Sequence, residues 1–273
     1  YGVAGALLGY AVGQFVIILL LLLISNKSYP LKVFTWSREV FTYFRKFLYL
    51  VLIGMFFNLG IWIDKIMYWV AKGTVIKGTL YFYFIHYDIP VFLGFLSMIP
   101  GLVYFLVVSE SIFHRAYFDF IKNIMEDTFK DIVRKKNVMI ASFKRGFSQL
   151  LLFQGVWTLG VLLNTDRFLN LMGYAYIDKT IMKIIFVAVF FHMIALTLQL
   201  YMLYLELRKE ALISTVIYFM ANVILTSVFL IYNWKWAQPG VSYLISASIT
   251  SLFCAYHLFK KIYIIDYIIF SRT

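Results

Sequence analysis

The sequence predicts an all-α, polytopic membrane protein of seven transmembrane helices, on three observations. The first is composition. Of the 273 residues, 63% are hydrophobic and only 14% are charged, with a mean hydropathy of +0.84, more apolar surface than a soluble domain can hide. The second is length. Apolar runs at roughly 2–24, 47–71, 89–109, 147–164, 181–205, 212–232 and 240–259 can cross ~30 Å of hydrocarbon at ~1.5 Å per helical residue, the fourth being somewhat short. The third is alternation of basic charge. The connections 25–46, 110–146, 206–211 and 260–273 hold eighteen Lys and Arg, whereas the intervening loops hold five: Lys72, Lys77, Arg167, Lys179 and Lys235. By the positive-inside rule the first span runs outward to inward and the C-terminus is cytoplasmic. The net charge of +12 is therefore mostly an orientation signal, which removes nucleic acid as a partner and makes the lipid bilayer the expected one. The single cysteine, Cys254, can form no intrachain disulfide and no cysteine-based metal site. The chain begins at Tyr1 inside an apolar segment, so a fragment with further helices upstream is expected.

In the first span Gly5, Gly9 and Gly13 recur every four residues and leave a face on which another helix can lie close. The stretch 25–46, with Pro30 and an amphipathic pattern from Trp36 to Lys46, reads as an interfacial linker between two lobes.

The second span carries the unusual feature. Within Gly54–Trp69 stand an adjacent Asp64 and Lys65, and an ionisable residue at membrane depth costs at least ~2.5 kcal/mol. Helical spacing puts Asn58, Trp62, Lys65 and Trp69 on one face and Phe57, Gly60, Asp64 and Tyr68 on a neighbouring one. The two charges are thus expected to look in different directions, with the Asp64 partner on another helix. Either they line a cavity, or Lys65 snorkels and Asp64 caps a buried contact.

The aromatic run Tyr81–Tyr87 is an interfacial belt or a rim on which sugars stack. In the third span, Pro100 and Gly101 predict a kink, structural or gating. From Glu110 to about 137–140 the spacing predicts one long cytoplasmic amphipathic helix. Its polar face offers Arg115, Lys122, Glu126, Lys130 and Arg134 as candidate docking residues for a partner. In the fifth span His192, Gln199 and Glu206, seven residues apart, form a polar stripe. Asn222 centres the sixth span, Trp234 and Trp236 anchor its outer end, and the last span presents small residues from Ser246 to Ser251. No nucleophile elbow, phosphate-binding loop, cofactor motif or metal-ligand spacing is present, so no enzyme activity is expected.

The residues Asn58-Leu-Gly-Ile-Trp-Ile-Asp-Lys65, the segment Tyr87-Asp-Ile-Pro90 leading to Ile99-Pro-Gly101, and the aromatic and acidic helix that follows resemble the PelG family. These are exopolysaccharide transporters of the multidrug/oligosaccharidyl-lipid/polysaccharide exporter superfamily, related to the multidrug and toxin extrusion transporters. The resemblance implies two six-helix lobes around a central cavity, of which this chain holds the last helix of the first (1–24) and all of the second (47–259), with a tail at 260–273. It implies export of an amino-sugar polymer across a bacterial cytoplasmic membrane. It further implies work beside a cytoplasmic Pel glycosyltransferase and Pel membrane subunits, one of them responsive to cyclic-di-GMP. Asn58, Asp64, Lys65, His192 and Gln199 become candidates for the wall of the transport path. Two alternatives stay open: an ion-coupled flippase of lipid-linked oligosaccharides or drug exporter, and a non-transporting scaffold that docks a glycosyltransferase.

Overall fold

The computed structural model describes residues 2–28, 38–76, 78, 81–124, 128–234 and 236–270. Among them seven helical passages are long and apolar enough to cross a membrane. The chain divides into two compact units, 1–47 and 48–273. Pro30 and Trp36 of the linker, and Glu126 among the docking candidates, lie outside the described residues.

The first unit holds α1 (Gly2–Ser28) and α2 (Arg38–Lys46). α1 is apolar over most of its length, and within its own unit the residues from Leu8 to Lys27 are exposed. Nothing among the described residues comes within 4 Å of where a Cβ on Gly9 or Gly13 would stand, and Gly5 is half-buried. On α2, Phe41, Tyr43 and Phe44 are exposed beside Arg45 and Lys46, a composition suited to a headgroup interface.

The second unit is built around α8 (Lys179–Tyr204), whose apolar residues are buried on nearly every side. A helix that is hydrophobic all round belongs inside a bundle. Around it stand α4 (Ile85–Tyr104), α6 (Phe129–Leu163), α9 (Arg208–Tyr232) and α10 (Val241–Lys261). α3 (Leu48–Lys72) lies at the edge, packed mainly on α9. Ser242, Ser246, Ala247, Thr250 and Ser251 of α10 are buried. Small residues at that face let backbones approach, which matters where lipid tails supply no hydrophobic drive between helices.

Between α3 and α4 the chain makes a short antiparallel hairpin, β1 (Thr74–Val75) with β2 (Phe82–Tyr83), in the register Thr74↔Tyr83. Asp88 fastens the start of α4. One of its carboxylate oxygens accepts from the Phe84 N–H at 2.8 Å and the other from the Trp69 indole at 2.8 Å. This satisfies a donor that a helix N-terminus leaves open.

Downstream of Pro100, α4 widens into a π-helical turn at Phe105–Glu110 before α5 (Ser111–Asn123). A proline inside a helix deletes one backbone donor, and π turns, rare in general, occur mostly as single turns inside α-helices of this kind. Ser109 in that turn donates to the Gly146 carbonyl on α6 at 3.2 Å.

Two expectations are corrected here. The amphipathic stretch from Glu110 to residues 137–140 is not one helix. α5 ends at Asn123, and α6 begins at Phe129 and runs on without interruption through the fourth span. Thr128 caps that start in extended conformation, its Oγ1 accepting from the Asp131 N–H and donating to the Asp131 carboxylate. A Thr-x-x-acid sequence of this kind is a helix-start signal hidden here in a charged helical pattern. Likewise Glu206 does not continue the stripe of the fifth span, because α8 ends at Tyr204 and Glu206 adopts a left-handed backbone with φ 54°.

After α6, Asn164 and Thr165 turn the chain into α7 (Thr165–Leu171), and Gly173 at φ 76° ends it. The tail forms a 3₁₀ turn and α11 (Ile265–Phe270), tied back by Lys136, whose ammonium meets Asp266 at 2.7 Å.

Candidate functional site

The face of α3 that carries Ile53, Gly60, Asp64 and Tyr68 turns into the bundle, while Asn58 and Trp62 stay exposed. Gly60 is the crossing point with α9. A Cβ there would stand 2.5 Å from the Tyr218 ring, so the absence of a side chain is what lets Tyr218 lie against the backbone. Asn222 on α9 then donates to the Gly60 carbonyl at 2.9 Å, and Thr226 passes the network to Ser242 on α10 at 2.8 Å.

Above that crossing sits the ion pair. Asp64 is 0% and Lys65 5% exposed. The Asp64 carboxylate accepts a hydrogen bond from the Tyr87 phenol of α4. Tyr87 therefore leaves the aromatic belt in which its sequence neighbours place it and is fully buried, whereas Tyr81, Phe82 and Tyr83 are exposed.

Lys65 corrects a third expectation. Its flexible stem folds back, so its ammonium donates to the Ile61 carbonyl and comes within 3.9 Å of the other Asp64 oxygen. The two charges belong to one cluster although their Cα atoms point to different faces. The ammonium also lies 5.2, 5.6 and 5.7 Å from the ring centroids of Trp62, Phe95 and Tyr243. Aromatic faces attract a cation, the more so when it is desolvated. The Asp64 oxygen facing Lys65 has no hydrogen-bond donor among the described residues, so Coulomb attraction to the ammonium is what offsets its burial.

His192 and Gln199 are buried too, and both turn to α9: His192 Nδ1 is 3.1 Å from the Tyr218 hydroxyl, and Gln199 donates to Ser214 at 3.0 Å. The His192 ring stacks on Phe57 at 5.3 Å and meets Phe95 edge-on at 5.8 Å. His192 thus joins the Asp64–Lys65 neighbourhood through shared rings, whereas Gln199, two helical turns along, makes a separate helix–helix contact. Asn58 stands apart, exposed, donating to the Gly54 carbonyl at 2.8 Å.

Pro100 and Gly101 lie where α4 meets α6 and α8. Gly101 is buried, and a Cβ on it would collide with the Gln154 amide and come 2.6 Å from the Met193 methyl. Gln154 itself donates to the Ser97 carbonyl at 3.2 Å. Gly101 is thus a close-approach position. Arg115, Lys122, Lys130 and Arg134 are all exposed, Arg134 within 3.2 Å of Asp131. Sequence reasoning missed Tyr87 and Tyr218. Tyr87 stands in the first turn of α4, just ahead of the apolar span and beside exposed aromatics, where a tyrosine is ordinary at an interface, so no local signal marked it.

Among the described residues no group of three or more His, Cys, Asp or Glu is placed to hold a metal ion. A family model, PelG, described as "Putative exopolysaccharide Exporter (EPS-E)", matches residues 1–270. No curated protein and no solved structure matches the chain.

Proposed function

We propose that this chain, which belongs to the PelG family of exopolysaccharide exporters, moves an amino-sugar polymer across the cytoplasmic membrane as part of a synthase–transport complex. In this reading the unit 48–273 is one six-helix lobe and α1 the last helix of the other, with the basic connections and the C-terminus on the cytoplasmic side.

The observation that carries the reading is the contact between the buried pair and an exposed ring. Trp62 is exposed on the outer face of α3, beside Asn58 and with Trp69 6.4 Å away. From behind, the Lys65 ammonium lies against it, and Asp64 and Tyr87 hold that ammonium's counter-charge in place. Aromatic rings give sugars a flat apolar face, and amides give them hydrogen bonds. Asn58, Trp62 and Trp69 would form the wall that the polymer touches. Asp64, Lys65 and His192 would stand behind it, setting how α3 sits against α4, α8 and α10. A buried ion pair adds little stability, and its better-attested use is to specify one arrangement among several. That is what an exporter with inward-open and outward-open states requires.

The polar face of α5 and of the first turns of α6, with Arg115, Lys122, Lys130 and Arg134, is the docking surface for a glycosyltransferase in the same reading. Trp62→Ala should reduce secreted polymer about tenfold at unchanged membrane abundance, a change of ~1.4 kcal/mol that one aromatic ring contact can supply. Secretion at the wild-type level per molecule in the membrane would remove Trp62 from the path. A second reading, cation-coupled flipping of a lipid-linked sugar, rests on the buried Asp64 carboxylate, one oxygen of which faces Lys65 without a hydrogen-bond donor among the described residues. Uptake of lipid-linked sugar into proteoliposomes that depends on a cation gradient would select it.

A further inference from the structure

On the side of the molecule poorer in basic residues, the end of α6 and the short α7 enclose a groove of about 730 Å³ that takes no part in the Asp64–Lys65 cluster. Its walls are Leu152, Phe153, Val156, Trp157 and Gly160 of α6 with Phe168 of α7, and its polar residues are Asn164 and Arg167. The elbow that shapes it is fixed by the fold. Thr165 donates to the Leu162 carbonyl at 2.8 Å and Asn164 to the Gly160 carbonyl at 2.9 Å. Leu169 is buried, and Phe168 meets Phe186 of α8 edge-on at 5.5 Å. Gly160 opens the floor, since nothing lies within 4 Å of where its Cβ would be.

Two features tell what fits there. From Leu152 to Asn164 the groove runs ~18 Å along α6 at ~1.5 Å per residue, close to the ~15 Å of one leaflet's hydrocarbon. Its charge comes at the end where the helix leaves the membrane. There Asp166 is taken by Lys179 at 2.9 Å, and Arg167 has neither hydrogen bond nor ion pair among the described residues. An unpaired guanidinium is a fork suited to phosphate oxygens, and its place on the poorly basic side means that orientation does not explain it.

We propose that the α6–α7 groove binds one anionic membrane phospholipid, with an acyl chain along α6 and the phosphate on Arg167. The bound lipid would fix α7 to the bilayer and hold the outer end of α6 while other helices move. The test is native mass spectrometry of the full-length protein in mild detergent with phosphatidylglycerol and phosphatidylethanolamine added, comparing wild type, Arg167→Gln and Gly160→Leu. Arg167 is exposed and Gly160 meets open space, so both variants should fold, which a thermal melt checks. Expected is about tenfold weaker retention of phosphatidylglycerol by Arg167→Gln, as loss of a charged hydrogen bond implies, with a smaller loss for phosphatidylethanolamine, whose phosphate meets the same guanidinium but whose ammonium offsets the net charge. Gly160→Leu should weaken both, and millimolar inorganic phosphate should displace neither. Equal retention by Arg167→Gln would overturn the proposal. So would displacement by free phosphate, or crosslinking of two copies of the chain through this face by Val156→Cys.

Discussion

The phenol of Tyr87 on α4 donates a hydrogen bond to the carboxylate of Asp64 on α3, joining the two helices through a buried charge. Tyr87→Phe removes the donor and keeps the ring. It should cost about 1–3 kcal/mol, the price of a buried acceptor left unsatisfied, measured as a lowered unfolding midpoint in detergent. Combined with Asp64→Asn the two losses should fall short of additive by 0.5–3 kcal/mol or so, as contacting residues in one network do.

Gly60→Ala tests the α3–α9 crossing. The added methyl would stand 2.5 Å from the Tyr218 ring, so a loss of about 1–3 kcal/mol is expected from overpacking, measured as a lowered unfolding midpoint in detergent. Gly54 on the same helix has open space around it. Gly54→Ala should therefore leave the melting temperature unchanged or slightly raised, because alanine is the better helix former.

Gly101→Ala separates packing from hinge freedom. If the glycine is there because Gln154 and Met193 occupy its side-chain space, the variant loses stability, and a companion Met193→Ala restores part of it. If the position serves only as a flexible joint, stability is untouched and secretion alone falls. The packed geometry predicts the first result, read from parallel melts and secretion assays.

Thr128→Ala should weaken the start of α6 by about 0.5–2 kcal/mol, the usual worth of an N-cap. Hydrogen exchange would rise at Asp131 and Ile132, whose N–H groups point back at Thr128, and not in the membrane-spanning part of the same helix.

The seven spans were legible in the sequence because a bilayer demands about twenty apolar residues of every crossing helix, and composition alone reveals that. The inward face of α3 was legible too, since Gly60, Asp64 and Tyr68 follow helical spacing. What spacing could not give was the reach of a side chain. Lys65 belongs by its Cα to another face, and only its long stem brings the ammonium back to Asp64. Tyr87 was hidden among aromatics that do face outward. The break before α6 was lost because Thr128 and Asp131 sit in a charged segment whose periodicity runs straight through it. Gly101 read as a kink, whereas the residues that occupy its space, Gln154 and Met193, come from helices about fifty and ninety residues away in sequence.

The central claim, that the buried Asp64–Lys65 pair works in export and is more than a structural tie, is tested most directly by secreted polymer per membrane-inserted molecule in Asp64→Asn, Lys65→Met and the double variant. Each single change strands a buried charge or its partner and should lower abundance, since breaking such a pair costs about 3–5 kcal/mol. The double variant leaves no charge to strand, so abundance should return to near wild type while secretion stays at least tenfold down. Wild-type secretion by the double variant would contradict the claim.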